Sequence, residues 1–349
     1  MPLFELNPLT DRRWDDFVER HPNGGIFHSS GWLRALRDTY EYQPVVFTTS
    51  GPFVPLTEGM VFCEVDSWLT GRRLVSLPFS DHCDLLVKSS GTEYELVEHL
   101  RKVMSAGKYR YIEFRPSSMA ACFAESLGVA RSESFLLHSL PLDLPVGDLF
   151  QKLHKDCIQR KIRRAERESL SYVAGRTDLL LQHFYQLLLR TRRRHSVPPQ
   201  PFHWFRNLST CFGDRLTVHV AYKVDQAVAA IITLRFKETV TYKYGCSDER
   251  FANMGGTPFL FWKIISDAKN SGALRLDLGR TDIENEGLAA FKDRLGGARQ
   301  MLNYYRISEA GTVRDVRKSW AAPLLRRAFS CIPDAVLVAS GKLLYRHIG

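Results

Sequence analysis

No apolar run in this 349-residue chain reaches the roughly 18 residues that a membrane-crossing helix needs. Residues Met1 to Arg13 also lack the charged start and apolar stretch of a secretory leader, so a cytoplasmic location is expected. Seven cysteines are present: Cys63, Cys83, Cys122, Cys157, Cys211, Cys246 and Cys331. Their number is odd, their spacing wide, and no C-x-x-C pair occurs, which argues against a disulfide framework and a cysteine-based zinc site. Buried thiols in a reducing compartment are the expectation instead. The histidines form no H-E-x-x-H or comparable ligand set, so no metal is expected. Repeats of 20 to 50 residues and low-complexity tracts are missing as well, which sets aside solenoids and disordered linkers.

Ordinary globular composition is what remains, with 44% hydrophobic and 25% charged residues. The length is generous for one core and comfortable for two domains. Charge is the least ordinary feature. The net value is +10, and residues 151–200 hold 12 Lys and Arg against 4 Asp and Glu, or +8 in one stretch. A localised positive field of that size attracts phosphates, nucleic acid or an anionic membrane face, unless it is a solvated helical face.

The first part of the chain reads as mixed α and β. Helical periodicity covers Asp11 to Arg20 and Ser30 to Tyr40, with Ser29 or Ser30 placed as a cap. Strands are predicted at Val45 to Thr48, Gly59 to Val65, Arg73 to Leu77, Tyr109 to Phe114 and Phe135 to Leu142. Helices are predicted at Thr92 to Gly107 and Ser117 to Leu127. The stretch Leu140 to Val146, with Pro141 and Pro145, marks a boundary. A long basic helix over Leu149 to Ser169 is then predicted, with Arg160, Arg163, Arg164 and Arg167 on one face. Helices over Asp178 to His195 and Phe202 to Phe212 follow, then strands at Leu216 to Tyr222, Ala227 to Phe236 and Val240 to Tyr244. A glycine-led helix over Thr257 to Ser271, a strand at Leu274 to Leu278, a helix at Leu288 to Leu295 and a strand at Met301 to Ile307 complete the pattern.

From about Phe150 to Arg306 several short stretches resemble the FemAB family of aminoacyl transferases within the wider GNAT-like, CelD-type acetyltransferase group. They are the basic Arg160-Lys161-Ile162-Arg163-Arg164-Ala165, the loop Arg194-His195-Ser196-Val197-Pro198-Pro199-Gln200-Pro201 with Trp204-Phe205 after it, Tyr244-Gly245-Cys246-Ser247, Asp277-Leu278-Gly279 and Phe291-Lys292. Phe27-His28-Ser29-Ser30-Gly31-Trp32 resembles the family's early entry into a helix. The resemblance implies an α/β (α+β) chain of two tandem GNAT-like domains, with mostly antiparallel sheets flanked by helices. The domains are expected at residues 1–143 and 144–308, with a helical tail at 309–349 packing back on the first.

Acyl transfer to an amine needs a bound activated donor, a deprotonated nitrogen and stabilisation of the tetrahedral oxyanion. Arg250-Phe251-Ala252-Asn253-Met254-Gly255-Gly256 stands where GNAT enzymes hold the pyrophosphate of acyl-CoA at a helix N-terminus. It lacks the first glycine of that loop, a departure that suits an aminoacyl-tRNA donor. The resemblance implies a donor-side role for Lys292, whose ammonium could face phosphates or the oxyanion. Tyr244 could pass a proton or orient the acceptor, or be a core tyrosine. Asp277 either lines the site or binds its own turn, and His195 is either a base or a helix cap. Lys155, Arg160, Lys161 and Arg164, with Arg194, suit phosphates, Trp204 offers a stacking ring, and Gly255, Gly256, Arg280 and Phe291 complete the expected donor and substrate contacts. No tightly bound cofactor is expected; the donor is acyl-CoA or aminoacyl-tRNA.

The expected acceptor is an amine of a cell-envelope precursor or exopolysaccharide unit. Family members with a soluble nucleotide-linked acceptor carry basic residues where this chain has Leu36 and Gln200, so that acceptor is not transferred. A different class remains open: a non-catalytic module binding RNA or the inner membrane face. Residues 151–200 would serve it, together with a tail in which Leu324, Leu325, Phe329 and Ile332 alternate with Arg326 and Arg327.

Overall fold

The computed structural model describes residues 3–87, 90–106, 109–118, 124, 128–308 and 333–348. The chain divides into two compact units. One comprises Met1–Ser134, Leu302–Ala322 and Lys342–Gly349, the other Phe135–Met301 and Pro323–Gly341. Most of the helix expected at Ser117 to Leu127 and the alternating part of the tail lie outside the described residues.

The first unit holds β1 (Phe4–Leu6), α1 (Arg13–Arg20), α2 (Ser30–Tyr40), β2 (Gln43–Thr48), β3 (Met60–Val65), β4 (Arg73–Val75), α3 (Ser90–Ser105) and β5 (Tyr111–Phe114). Strands β1 to β4 pair antiparallel in order, β4 and β5 are parallel, and Tyr305–Ser308 pairs antiparallel with β5. Phe47, Phe62, Ile112 and Phe114 pack under Leu96, Val97 and Leu100 of α3. Neither serine caps α2 with its side chain, contrary to the sequence expectation. Asp15 of α1 instead accepts from Ser30 N at 3.0 Å and Ser30 Oγ at 2.6 Å, because the packing of α1 puts a stronger acceptor there. Deeper in, Glu113 takes Arg115 Nε at 2.7 Å and Arg306 Nε at 2.8 Å, a buried carboxylate neutralised from two sides.

The second unit runs from β6 (Ala130–Pro141, from Phe135 onward) through α4 (Val146–Lys152), α5 (Arg160–Arg167), β7 (Ser171–Gly175), α6 (Asp178–Arg194), α7 (Phe202–Phe212), β8 (Leu216–Lys223), β9 (Gln226–Phe236), β10 (Thr239–Ser247), α8 (Gly256–Asn270) and β11 (Arg275–Asp282) to α9 (Glu286–Arg294). Its sheet has the order β6-β11-β10-β9-β8-β7 and is antiparallel except for the pair β10 and β11. Period-2 alternation splits the strands between two helical layers. Ala229, Ile231 and Leu276 join the core under α5 and α8. Cys246 lies against the Phe184 carbonyl of α6, on the other face. The short strand β7 was not predicted: Ser171 to Gly175 is an edge with mixed exposure and little alternation. Among the described residues no helix is long and apolar enough to cross a membrane.

The basic helix predicted as one piece is broken. Leu153 and His154 adopt extended ψ angles of 140° and 122°, and a π-helical turn, Lys155–Gln159, leads into α5. The apolar periodicity spans the break because Leu153, Ile158, Ile162 and Ala165 all reach the core. Gln159 stabilises the break: its buried Nε2 donates to the carbonyls of Phe150 at 3.1 Å and Leu153 at 2.8 Å, which end α4. Gln159→Ala leaves those carbonyls short of partners and is expected to destabilise the second unit by about 1–3 kcal/mol. Thermal melting of the two proteins checks this, and an unchanged midpoint would contradict the role.

Candidate active site

In the second unit two neighbouring strands start together and then part. Strands β10 and β11 pair in parallel only from Thr239–Arg275 to Thr241–Asp277, although they continue to Ser247 and Asp282. Both carry a register shift where the pairing stops, between Tyr242 and Tyr244 in β10 and between Asp277 and Gly279 in β11. A bulge of this kind re-aims side chains and ends a ladder. In β11 the turn closes on itself, with Asp277 Oδ1 accepting from Gly279 N at 2.8 Å and Gly279 at φ +71°. That left-handed backbone is open to glycine at no cost, so Asp-Leu-Gly is a bulge-forming unit, and Asp277 binds its own turn.

Beyond the bulge, Lys292 of α9 occupies the strand end. It is 2% exposed, and its Nζ donates to the carbonyls of Gly279 at 2.9 Å and Arg280 at 3.0 Å. The preceding Phe291 anchors the helix by packing edge-on against Phe261 of α8, with centroids 5.5 Å apart. The two short motifs are therefore halves of one construction. Arg280 turns its guanidinium over Phe135, 4.4 Å from the ring centre. His138 of β6 pairs with Gly279 across the ladder, and its Nε2 lies 3.3 Å from Asp293 Oδ1. Burial and then Lys292 hold its pKa below the ordinary histidine value. Sequence reasoning missed His138, because a lone histidine in a strand carries no signal until the pairing with the bulge is known.

A second group of residues gathers at the N-terminus of α8. Gly255, at φ +80°, lies so close to the chain of α5 that an added Cβ would stand 2.3 Å from the Lys161 carbonyl. A Cβ added at Gly256 would in turn stand 3.2 Å from Ala229 Cβ, so the two glycines set the helix start between α5 and the sheet. The loop before them is tied to α6 from the other side. Thr191 Oγ1 donates to Ser247 O at 3.1 Å, and Arg190 Nη1 reaches Asp248 Oδ2 at 2.5 Å. Lys155, Arg160, Lys161 and Arg164 are all exposed on the α5 side of this loop, and Arg194 and His195 are exposed at the end of α6. Partial burial and the charges of Arg194 and Arg192 lower the pKa of His195. A groove of about 580 Å³ lined by His183, Arg190, Lys223, Asp225 and Gln226 adjoins α6.

Tyr244 and Trp204 do not join these groups. Trp204 is wholly buried and donates from Nε1 to Tyr244 Oη at 2.9 Å, and the tyrosine ring packs edge-on against Phe205. The β10 bulge explains the placement. Tyr242 packs on Phe261 of α8, whereas Tyr244 turns to α6 and α7. Trp204 accordingly offers no ring face for stacking. Among the described residues no three His, Cys, Asp or Glu side chains gather as a metal site requires.

Comparison with known proteins bears on the fold. Residues 154–293 match the family described as the acetyltransferase (GNAT) domain. The fold is similar to that of FemX, at 13% identity and a TM-score of 0.68 over 93% of this chain and 100% of that one. It is also similar to L-PGS from Bacillus licheniformis, at 13% identity and a TM-score of 0.58 over 92% and 98% of the two chains. A tandem GNAT protein from the clavulanic acid biosynthesis pathway gives 12% identity and a TM-score of 0.55 over 90% and 99%. No curated protein matches the sequence. The expected GNAT-like resemblance is borne out over residues 154–293, and the α/β class and the likeness to FemX are borne out at the level of the fold.

The loop before α8 supplies a pH test. Asp248 caps the loop's short helical turn, and hydrogen bonds from Arg250, with Arg190 beside it, bring its pKa from 3.8 down to about 2. Because the folded value is the lower one, the stabilisation is complete above about pH 4 and disappears as pH falls towards 2. Asp248→Asn is expected to flatten the fall of the urea midpoint across that window; parallel curves for the two proteins would contradict the ion pairs.

Proposed function

We propose that this chain, with its GNAT-type segment at residues 154–293 and a fold similar to FemX, transfers an aminoacyl group from aminoacyl-tRNA to an amine of a cell-envelope precursor or exopolysaccharide unit. The observation that carries the reading is that α5, with Arg160, Lys161 and Arg164 exposed on it, passes against the start of α8 at Gly255, in the unit whose strands β10 and β11 part. Amides at a helix N-terminus and the helix dipole favour phosphate there. Arg160, Lys161 and Arg164 extend the positive surface along α5, longer than one pyrophosphate needs and suited to a nucleic-acid backbone. Pro258 lacks an N–H in the first turn of α8, which leaves a helix start with fewer donors for the pyrophosphate of CoA. The name of the putative lysylphosphatidylglycerol synthetase from Agrobacterium fabrum, similar in fold at 14% identity, supports an aminoacyl group and a membrane-borne acceptor.

In this mechanism the donor's ester carbonyl lies in the gap between β10 and β11. The acceptor nitrogen attacks it, and negative charge develops on the carbonyl oxygen. Lys292 faces that charge as a fixed ammonium, already held in place by two strand carbonyls, so little reorganisation accompanies the reaction. The basic surface of α5 holds the tRNA, and its contacts position without reading sequence. The anionic inner face of a membrane would attract the same surface and bring a lipid-linked acceptor near.

Total aminoacyl-tRNA and a set of acyl-CoAs, offered separately with amine acceptors, test the reading. Transfer is expected from aminoacyl-tRNA. Charge reversal at Lys161 and Arg164 is expected to weaken tRNA binding about 10-fold or more at moderate salt. Lys292→Met is expected to lower the transfer rate at least about 100-fold while leaving tRNA affinity within about threefold. Turnover from acyl-CoA alone would reassign the donor. Binding of tRNA without turnover, untouched by Lys292→Met, would make the chain a binding module.

A further inference from the structure

Four histidines are almost fully buried: His347 meets the Ser67 hydroxyl through Nδ1 at 3.1 Å, and His28 and His219 are bonded at both ring nitrogens. His28 Nδ1 accepts from Gly25 N at 3.0 Å, and its Nε2 lies 2.9 Å from the Asp84 carbonyl. His219 meets the Tyr172 hydroxyl at 2.8 Å and the Thr233 hydroxyl at 2.9 Å. His138 differs. It is 0% exposed, and among the described residues neither of its ring nitrogens has a hydrogen-bond partner. Its Nε2 stands 3.3 Å from Asp293 Oδ1, within ion-pair distance. A purely structural histidine in such a place would be satisfied as His28 and His219 are.

The surroundings give the contact a direction. Asp293 follows Lys292 on α9, and its side chain is 40% exposed, so it has one oxygen towards the buried imidazole and a surface open to solvent beside the bulge. The charged groups facing His138 are Lys292 and Asp293 from α9 and Arg299, whose Nη1 is 3.8 Å from Asp293 Oδ2. Arg280 on the neighbouring strand is turned away over Phe135. Burial, Lys292 and Arg299 hold the imidazole neutral, and Asp293 is the group that favours its protonated form, so a proton taken at Nε2 depends on that carboxylate.

We propose that Asp293 and His138 form the proton-accepting couple of the transfer reaction, with Asp293 meeting the acceptor's ammonium and His138 acting behind it through Nε2. This inference rests on the transferase reading and adds the base that the reading needs. The acceptor R–NH₃⁺ gives one proton through Asp293 to His138, and the nitrogen keeps the electron pair. That pair forms the new N–C bond while the donor's C–O bond breaks, and the electrons of that bond go to the tRNA oxygen. The second nitrogen proton follows to that oxygen, giving an amide and a free 3′ end, and the proton on His138 returns to water. His138 is a positioning and proton-storing residue, because it does not touch the substrate itself.

Two nucleophiles of different basicity separate this role from a structural one. The intact protein is given total aminoacyl-tRNA, then acetyl-CoA, each with glycinamide or hydroxylamine. Glycinamide is partly protonated near neutrality and needs a base; hydroxylamine is already free of its extra proton. Asp293→Asn is expected to slow transfer to glycinamide about 100-fold and transfer to hydroxylamine by no more than about threefold. His138→Gln is expected to give the same split and to remove the acid limb of the wild-type pH profile. Asp293 is half-exposed, so its variant tests the idea even where the buried His138 variant fails to fold. Equal losses on both nucleophiles would mark the pair as structural, and unchanged rates would also overturn the proposal, with the transferase reading intact in both cases. A wild-type protein that transfers to neither nucleophile from either donor would remove the transferase reading and this inference with it.

Discussion

Parallel strands that begin as hydrogen-bonded neighbours and then separate leave backbone groups that the ladder no longer serves. In the second unit β10 and β11 separate after Thr241 and Asp277. Buried carbonyls without partners are costly, and here the buried ammonium of Lys292 donates to two of them, at Gly279 and Arg280. A charge that would be expensive to bury alone is thereby balanced by oriented dipoles. The strand end, the bulge and the lysine stand or fall together, and the rest of the site is arranged around them. Phe291 sets the height of α9 on α8, and His138 and Asp293 meet beside the bulge.

The same economy governs the start of α8. Gly255 and Gly256 are required by close approach to the Lys161 carbonyl and to the sheet. That approach brings the backbone of α5 against the start of α8, although the helix is interrupted at Leu153 and His154. The interruption carries α5 round so that Ile162 and Ala165 still reach the core while Arg160, Arg163, Arg164 and Arg167 stay in water. Charge at this surface thus follows from packing beneath it.

Much of the fold was legible from periodicity. The helices Arg13–Arg20, Ser30–Tyr40, Asp178–Arg194, Phe202–Phe212 and Gly256–Asn270 fall within a residue or two of expectation, because each has a continuous apolar face and a recognisable stop. The basic helix was over-extended because a π-helical turn keeps nearly the same apolar spacing, and only Gln159 bonding back to α4 reveals the break. Strand β7 escaped because an exposed edge strand need not alternate. For the site, short motifs located Lys292, Asp277 and the glycines, yet could not say what they bind. Tyr244 and Trp204 look like site residues in one dimension, but a one-residue bulge turns the tyrosine to the opposite layer. His138 and Asp293 could not be linked at all, since a contact 155 positions apart becomes visible only through the pairing of β6 with β11.

The Asp277 turn and the Lys292 ammonium hold one bulge jointly. A double-mutant cycle with Asp277→Ala and Lys292→Met, read by denaturant unfolding, measures that dependence directly. Joint action implies a coupling energy of about 1 kcal/mol or more, since either change alone already releases the bulge. Single-variant losses that add to within about 0.3–0.5 kcal/mol in the double variant would contradict it.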